Sequence, residues 1–147
     1  MEIEILKKGQ KITGVITMIE CFIQENKIFI VMPLLNGYID LFDYISKNQK
    51  LCENTAKKIL CDVIKTIMQC HKEGIVHRDI KDENILINED TLETKLIDFG
   101  SGILTYKLNN LRKCDNLFGT QVFNPPECIK SEYYTLNGFT VWTIGRI

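Results

Sequence analysis

His77-Arg78-Asp79-Ile80-Lys81-Asp82-Glu83-Asn84 puts a cation, an acid, a second cation and an amide into one short turn. Apolar runs flank it, Gly74-Ile75-Val76 before and Ile85-Leu86-Ile87 after. An ordinary surface loop has no need of that order. Phosphoryl transfer has: a carboxylate must hold the attacking hydroxyl, a cation must meet the moving phosphate, and an amide oxygen must hold Mg²⁺. A second acidic turn, Leu96-Ile97-Asp98-Phe99-Gly100, again closes an apolar run. A His-Arg-Asp tripeptide alone is a weak signal. Its joint order with Lys81, Asn84 and Asp98-Phe99-Gly100 is a strong one.

The 147 residues suffice for one domain with a real core. Hydrophobic residues make up 45% and charged residues 25%, as in ordinary globular chains. A formal charge of -1 leaves no global field to draw the chain to nucleic acid or to a membrane. No apolar run approaches the roughly 20 residues that span a bilayer. The acidic, alternating start Met1-Glu2-Ile3-Glu4 is unlike a secretory signal, so a cytoplasmic or nuclear protein is expected. Cys21, Cys52, Cys61, Cys70, Cys114 and Cys128 form no Cys-x-x-Cys pair. The spacing of Cys52, Cys61 and Cys70 turns neighbours to opposite helix faces, which argues for buried reduced thiols rather than a metal site. His71 reads as a helix-end residue.

Along the chain, Met1 to Lys8 reads as the tail of a helix stopped by Gly9, with a start that looks cut. Ile12 to Phe22 and Lys27 to Met32 read as strands of a hairpin turning at Gln24-Glu25-Asn26, and Pro33 ends the second. Asn36-Gly37 is a turn, and Asp40 to Ile45 a short helix. The clearest helix opens near Asn54. Ala56, Ile59, Leu60, Val63, Ile64, Ile67 and Met68 mark its expected buried face, and Gly74 its left-handed cap. Ile75-Val76, Ile85 to Ile87 and Thr94 to Ile97 are short β runs around the two acidic turns, with Asn88-Glu89-Asp90 turning between the last two. Gly100 to Phe118 reads as a mobile surface loop. Asn124-Pro125-Pro126-Glu127 is a rigid turn, and Phe139 to Ile147 begins an apolar helix.

These words together resemble a serine/threonine protein kinase, most closely the Pim type with PAS kinase a near relative. The resemblance rests on residues 77–87, on Lys95-Leu96-Ile97-Asp98-Phe99-Gly100-Ser101-Gly102, and on Gly119-Thr120 with Pro125-Pro126-Glu127. It implies an α+β, protein-kinase-like fold, truncated: residues 1–32 an N-lobe remnant, 33–39 the hinge, 40–147 a partial C-lobe. It implies transfer of the ATP γ-phosphate to Ser or Thr of proteins, with ATP and Mg²⁺ as cofactors. Asp79 would orient the substrate hydroxyl, Lys81 neutralise the transferring phosphate, and Asn84 and Asp98 hold Mg²⁺. His77 and Phe99 would stack to align the loops. Met32 takes the gatekeeper position, Pro33 and Leu35 offer backbone groups to adenine, Leu86 packs under the purine, and Asp40 meets ribose or a substrate arginine.

Asp43, Asp82 and Glu83 add acids to the same rim. Protein substrates with Arg or Lys near the phosphoacceptor are the implied partners. Thr120 would hold Asp79 and Lys81 by hydrogen bonds. Arg78 could meet a phosphorylated loop, with Ser101, Thr105, Tyr106 and Thr120 as available hydroxyls and Asp115 as a standing charge. A monomer is expected.

Residues 1–147 show neither the family's Gly-rich loop nor its strand lysine, although Glu2 holds the place of that lysine's partner. The stretch Thr140-Val141-Trp142-Thr143-Ile144-Gly145 lacks the acid that usually opens this helix, as the Pim type does. The partner expected for Glu127 is likewise not seen. Little activity and marginal stability are therefore expected of these residues alone. A peptide-binding or decoy module is the alternative reading. A small-molecule phosphotransferase fits the Gly119-Thr120 and Pro125-Pro126-Glu127 words less well.

Overall fold

A computed structural model of the chain describes residues 1–105, 111–113, 119–130 and 133–147. Helix α1 (Glu2–Gly9) carries Glu2 and Glu4 in its first turn and Lys7 and Lys8 in its last, matching the helix dipole, and it buries Ile5 and Leu6. An irregular strap, residues 10–19, follows. Strands β1 (Glu20–Gln24) and β2 (Lys27–Val31) then pair antiparallel. Glu25 and Asn26 between them both have positive φ, 48° and 60°, as a two-residue hairpin turn requires.

Strand β3 (Tyr38–Asp40) runs into helix α2 (Leu41–Asn48), and helix α3 (Glu53–Lys72) is the longest element. β4 (Ile75–Val76) leads to the His77–Asn84 turn, which closes in a 3₁₀ turn at Asp82–Asn84. β5 (Ile85–Asn88) and β6 (Thr94–Leu96) complete a three-stranded antiparallel sheet in the order β3-β5-β6. β7 (Ile103–Leu104) returns to pair with β4. β8 (Leu111–Lys113), helix α4 (Glu127–Lys130), β9 (Tyr133–Thr135) and helix α5 (Leu136–Ile144) follow, with β8 and β9 paired. This is the α+β arrangement expected.

The main core lies between α1, the strap, α3 and the β3-β5-β6 sheet. Ile5, Ile75, Ile85, Ile87 and Phe99 are fully enclosed there. Ile85 and Ile87 alternate with half-buried Leu86 and Asn88, so one face of β5 feeds the core and the other faces outward.

Several expectations need correction. The strand expected from Ile12 begins only at Glu20. Residues 12–18 instead bury Ile12, Val15, Ile16 and Met18 against the sheet and α3, with one parallel bridge from Val15 to Leu96. Both β and strap geometries put apolar residues inward, so the pattern could not separate them. The short helix at 40 runs three residues further, to Asn48, and Asp40 caps it rather than joining it. On α3 the buried residues are Ile59, Val63, Thr66, Ile67 and Cys70, whereas Ala56, Leu60 and Met68 are exposed. Cys52 and Cys61 are exposed too, so of this series Cys70 alone is a buried thiol. Burial pushes that thiol up to about 12. The stretch read as a loop contains strands β7 and β8, while Tyr106, Cys114, Asp115 and Phe118 lie outside the described residues. The last helix starts at Leu136, three residues early.

The strap is seated by Gly14. Its carbonyl accepts from Leu96 N at 2.7 Å, and Ile16 N donates to Leu96 O at 3.0 Å. A Cβ on Gly14 would fall inside the Thr66 side chain of α3. Gly14→Ala should therefore lower the unfolding free energy by about 1–3 kcal/mol, the usual cost of overpacking, measured by urea denaturation.

Candidate active site

The two acidic turns are held against each other by three contacts. Ile97 N donates to Asn84 O at 3.0 Å. His77 Nε2 bonds Ile97 O at 2.8 Å, and its ring meets Phe99 edge-on, with 4.6 Å between centroids. Asp79 N donates to His77 Nδ1 at 3.2 Å. Because Nδ1 accepts, Nε2 must carry the proton and donate to Ile97, which fixes a neutral tautomer. Burial pushes the His77 pKa down against smaller upward pulls from the Ile97 carbonyl and from the charges of Asp79 and Asp98. His77 thus bridges the two loops and stands within the field of both carboxylates.

Three sequence-predicted residues, Asn84, Thr120 and Lys81, meet around Asp79. Asn84 Nδ2 donates to Asp79 O at 2.9 Å and to Asp79 Oδ2 at 3.1 Å. Thr120 N donates to Asp79 Oδ1 at 2.9 Å, and Lys81 Nζ donates to Thr120 Oγ1 at 2.9 Å. Lys81 Nζ also lies 3.7 Å from Asp79 Oδ2, both side chains being mostly buried. Thr120 therefore binds the acid through its backbone and the lysine through its hydroxyl. Gly119 makes this approach possible. Its φ is 84°, and a Cβ there would lie 2.5 Å from Arg78 O and 2.9 Å from Asp79 Oδ1.

The proposed metal donors fit a hard cation by their chemistry. Asn84 Nδ2 is committed to Asp79, so the Oδ1 of Asn84 is the atom left to accept from or ligate another group. Asp98 is exposed and holds a left-handed backbone, φ 59°, with Gly100 N donating to its Oδ1 at 3.1 Å. One amide oxygen and one carboxylate, completed by phosphate and water, is an oxygen set suited to Mg²⁺. Glu2 stands nearby: a Cβ on Gly100 would sit 3.1 Å from Asp98 Oδ1 and 3.9 Å from Glu2 Oε2. Burial first, and the Asp98 charge second, push the Glu2 pKa up.

The other predicted residues are placed less tightly. Met32, just after β2, is 41% exposed and so is not a core residue. Pro33 and Leu35 are half-buried, as is Leu86 at the centre of the sheet, opposite Asp40 and Lys95. Asp40 caps α2, its Oδ1 accepting from Asp43 N at 2.8 Å. This structural task was missed in the sequence, although an Asp before an apolar helix signals it. Asp43 and Glu83 are exposed and Asp82 half-buried, on α2 and the adjacent 3₁₀ turn. Arg78 is buried with φ 65°, and its Nε donates to Ser101 O at 2.7 Å, a tie the sequence did not signal.

The sequence profile of the protein kinase domain matches residues 1–147. The chain belongs to the protein kinase family. This kinase chain is 41% identical over 137 residues to serine/threonine-protein kinase pim-2 of Danio rerio, covering 90% of the chain and 42% of that protein. Serine/threonine-protein kinase 1 of African swine fever virus (isolate Tick/Malawi/Lil 20-1/1983) is 38% identical over 148 residues, covering 99% and 48%. Serine/threonine-protein kinase prk-2 of Caenorhabditis elegans is 33% identical over 145 residues, covering 99% and 32%. The kinase chain spans less than half the length of each of these relatives.

The neutral state of His77 has a consequence for stability. Its folded pKa is depressed, so the unfolded chain binds more protons as pH falls below the ordinary imidazole value of about 6.5. Stability is then lost on acidification, at no more than about 1.4 kcal/mol per pH unit for each such imidazole. Half-buried His71, also depressed by burial, adds in the same direction. Urea melts between pH 7.5 and 5 should show a falling midpoint, and His77→Asn should flatten that slope.

Proposed function

We propose that this chain is the catalytic part of a serine/threonine protein kinase that moves the γ-phosphate of ATP onto Ser or Thr in basic sequence contexts. The observation that carries this reading is the closed set Asp79–Asn84–Thr120–Lys81, docked through His77 onto the Asp98 turn. Two donors, Asn84 Nδ2 and Thr120 N, hold the Asp79 carboxylate, which orients the acceptor hydroxyl. It takes the hydroxyl proton late, because the transition state is loose. Lys81 stands beside it, placed to meet negative charge as it shifts to the acceptor oxygen. Mg²⁺, when bound by Asn84 and Asp98, supplies charge neutralisation on the phosphates.

Adenine would lie along Pro33–Leu35 over Leu86, with Met32 at the back. Asp43, Asp82 and Glu83 would draw Arg or Lys side chains of the substrate, since solvent-accessible carboxylates on adjoining elements, two exposed and Asp82 half-buried, favour cations at low salt. The relatives' names, all serine/threonine-protein kinases, support the choice of hydroxyl acceptor. The same likeness favours an ATP-dependent enzyme.

The test is phosphate transfer by the full-length protein to an Arg-rich peptide with Mg-ATP. Asp79→Asn should reduce kcat by about 10²–10⁴-fold, and Lys81→Met by about 10²-fold, with KM for ATP little changed. Thr120→Val, which keeps the backbone donor to Asp79 and removes the bond to Lys81, should cost less than Lys81→Met. Turnover unaffected by Asp79→Asn would refute the assignment.

A further inference from the structure

Lys95 lies outside the ring of residues around Asp79, yet its side chain is only 17% exposed and its ammonium meets two partners. Its Nζ donates to Thr13 O at 2.6 Å, a carbonyl in the strap, and pairs with Glu93 Oε1 at 2.7 Å. Glu93 also accepts from the Tyr38 hydroxyl. Tyr38 opens β3 three residues after Leu35, and Lys95 lies three residues before Asp98. The cluster therefore joins three pieces of chain: the strap, the exit of the 33–37 segment, and the strand that delivers Asp98.

The strap transmits whatever fixes it. Ile12 N donates to Gly9 O at 2.9 Å and Val15 N to Ile12 O at 3.0 Å, so consecutive tight turns connect the end of α1 to the bridge at Leu96. Gln10 Nε2 donates to Met18 O at 3.2 Å and closes the strap on itself. At the far end of α1, Glu2 borders Gly100 together with Asp98. A shift of the strap along β6 would thus move Glu2 against the Asp98 turn.

We propose that Lys95 is a positioning residue that clamps the strap to β6 and thereby sets where α1 and Glu2 stand relative to Asp98 on the nucleotide side of the cleft. Its Nζ supplies the charged donor that the backbone carbonyl of Thr13 would otherwise lack among the described bonds. Glu93 and Tyr38 hold that ammonium in place. The consequence for nucleotide binding rests on the kinase reading above; the clamp itself does not.

Hydrogen exchange and Mg-ATP titration of the full-length protein test it together. Lys95→Met keeps the apolar stem and removes the charge. It should speed exchange of the Ile16 and Leu96 amides, and of Ile5 in α1, by about tenfold, and weaken Mg-ATP binding by about tenfold, the scale of one charged hydrogen bond. Lys95→Arg should stay within about twofold of the wild type, since it keeps a cation that reaches Thr13 and Glu93. Glu93→Gln, at a half-exposed position, should move both readouts in the same direction by less and guards against a Lys95→Met chain that fails to fold. Unchanged exchange in Lys95→Met and Glu93→Gln overturns the clamp. Faster exchange with unchanged nucleotide affinity overturns the positioning role, and so does an arginine variant as impaired as the methionine one. A wild-type protein that binds no Mg-ATP sinks the kinase reading instead, while the exchange rates still decide the clamp.

Discussion

One buried, neutral imidazole holds the two acidic turns in register. His77 accepts from the backbone of Asp79 and donates to the backbone of Ile97, next to Asp98. A protonated ring could not do both, because Nδ1 would then be a donor facing a donor. Burial selects the neutral form at the same stroke, since charging a 3% exposed ring is costly. The two carboxylates are thereby referenced to one rigid group rather than to two independent loops. This is the kind of support that precise positioning chemistry needs.

The backbone is bent to serve that arrangement. Arg78 and Asp98 both occupy the left-handed region, φ 65° and 59°, which costs free energy for residues with a Cβ. Each lies in an acidic turn, and each is held by local bonds: Arg78 Nε to Ser101 O, Asp98 Oδ1 to Gly100 N. Those bonds offset the local strain. They also tie the first turn to the segment following the second, so the loops are bound at His77, at Ile97 and at Ser101.

Much of this was legible in the sequence. The order His-Arg-Asp, Lys, Asn, then Asp-Phe-Gly fixed the family, and the expected ties of Thr120 to Asp79 and Lys81 are present. The short β run at Ile85 to Ile87 and the turn at Asn36-Gly37 were readable because a β-branched apolar run and a glycine each have a local cause. What escaped had a non-local cause. The strap 12–18 carries β-like apolar residues, but its partner is the flank of α3, where Thr66 admits nothing larger than Gly14. Helix α3 has apolar residues around more than half of its circumference. Periodicity alone could not tell that Leu60 and Met68 lie on the exposed side. Asp40 was read for its charge, when its first task is to satisfy the amide of Asp43.

The same distinction separates the residues proposed to do chemistry from those that would make it geometrically possible. Asp79, Lys81 and Asn84 can be picked out in a sequence because an acid, a cation and an amide in that order are the types phosphoryl transfer would call for. Gly119 can be read only as a glycine; its necessity becomes visible once the Arg78 carbonyl is seen 2.5 Å from where a Cβ would be. A bare list of charged residues would therefore under-specify the cleft. The acidic turn, the Gly119-Thr120 step and the strap under Leu96 come from segments far apart in sequence, joined by hydrogen bonds that use both backbone groups and the side chains of His77, Asp79, Lys81 and Thr120. None of these bonds involves Asp43 or Glu83, so such a cleft can vary its rim, where those two stand exposed, while its interior geometry stays fixed. On the proposed reading, peptide preference would then be decoupled from the positioning of the transferred group, because the rim charges would act through solvent-screened attraction and the interior through direct bonds.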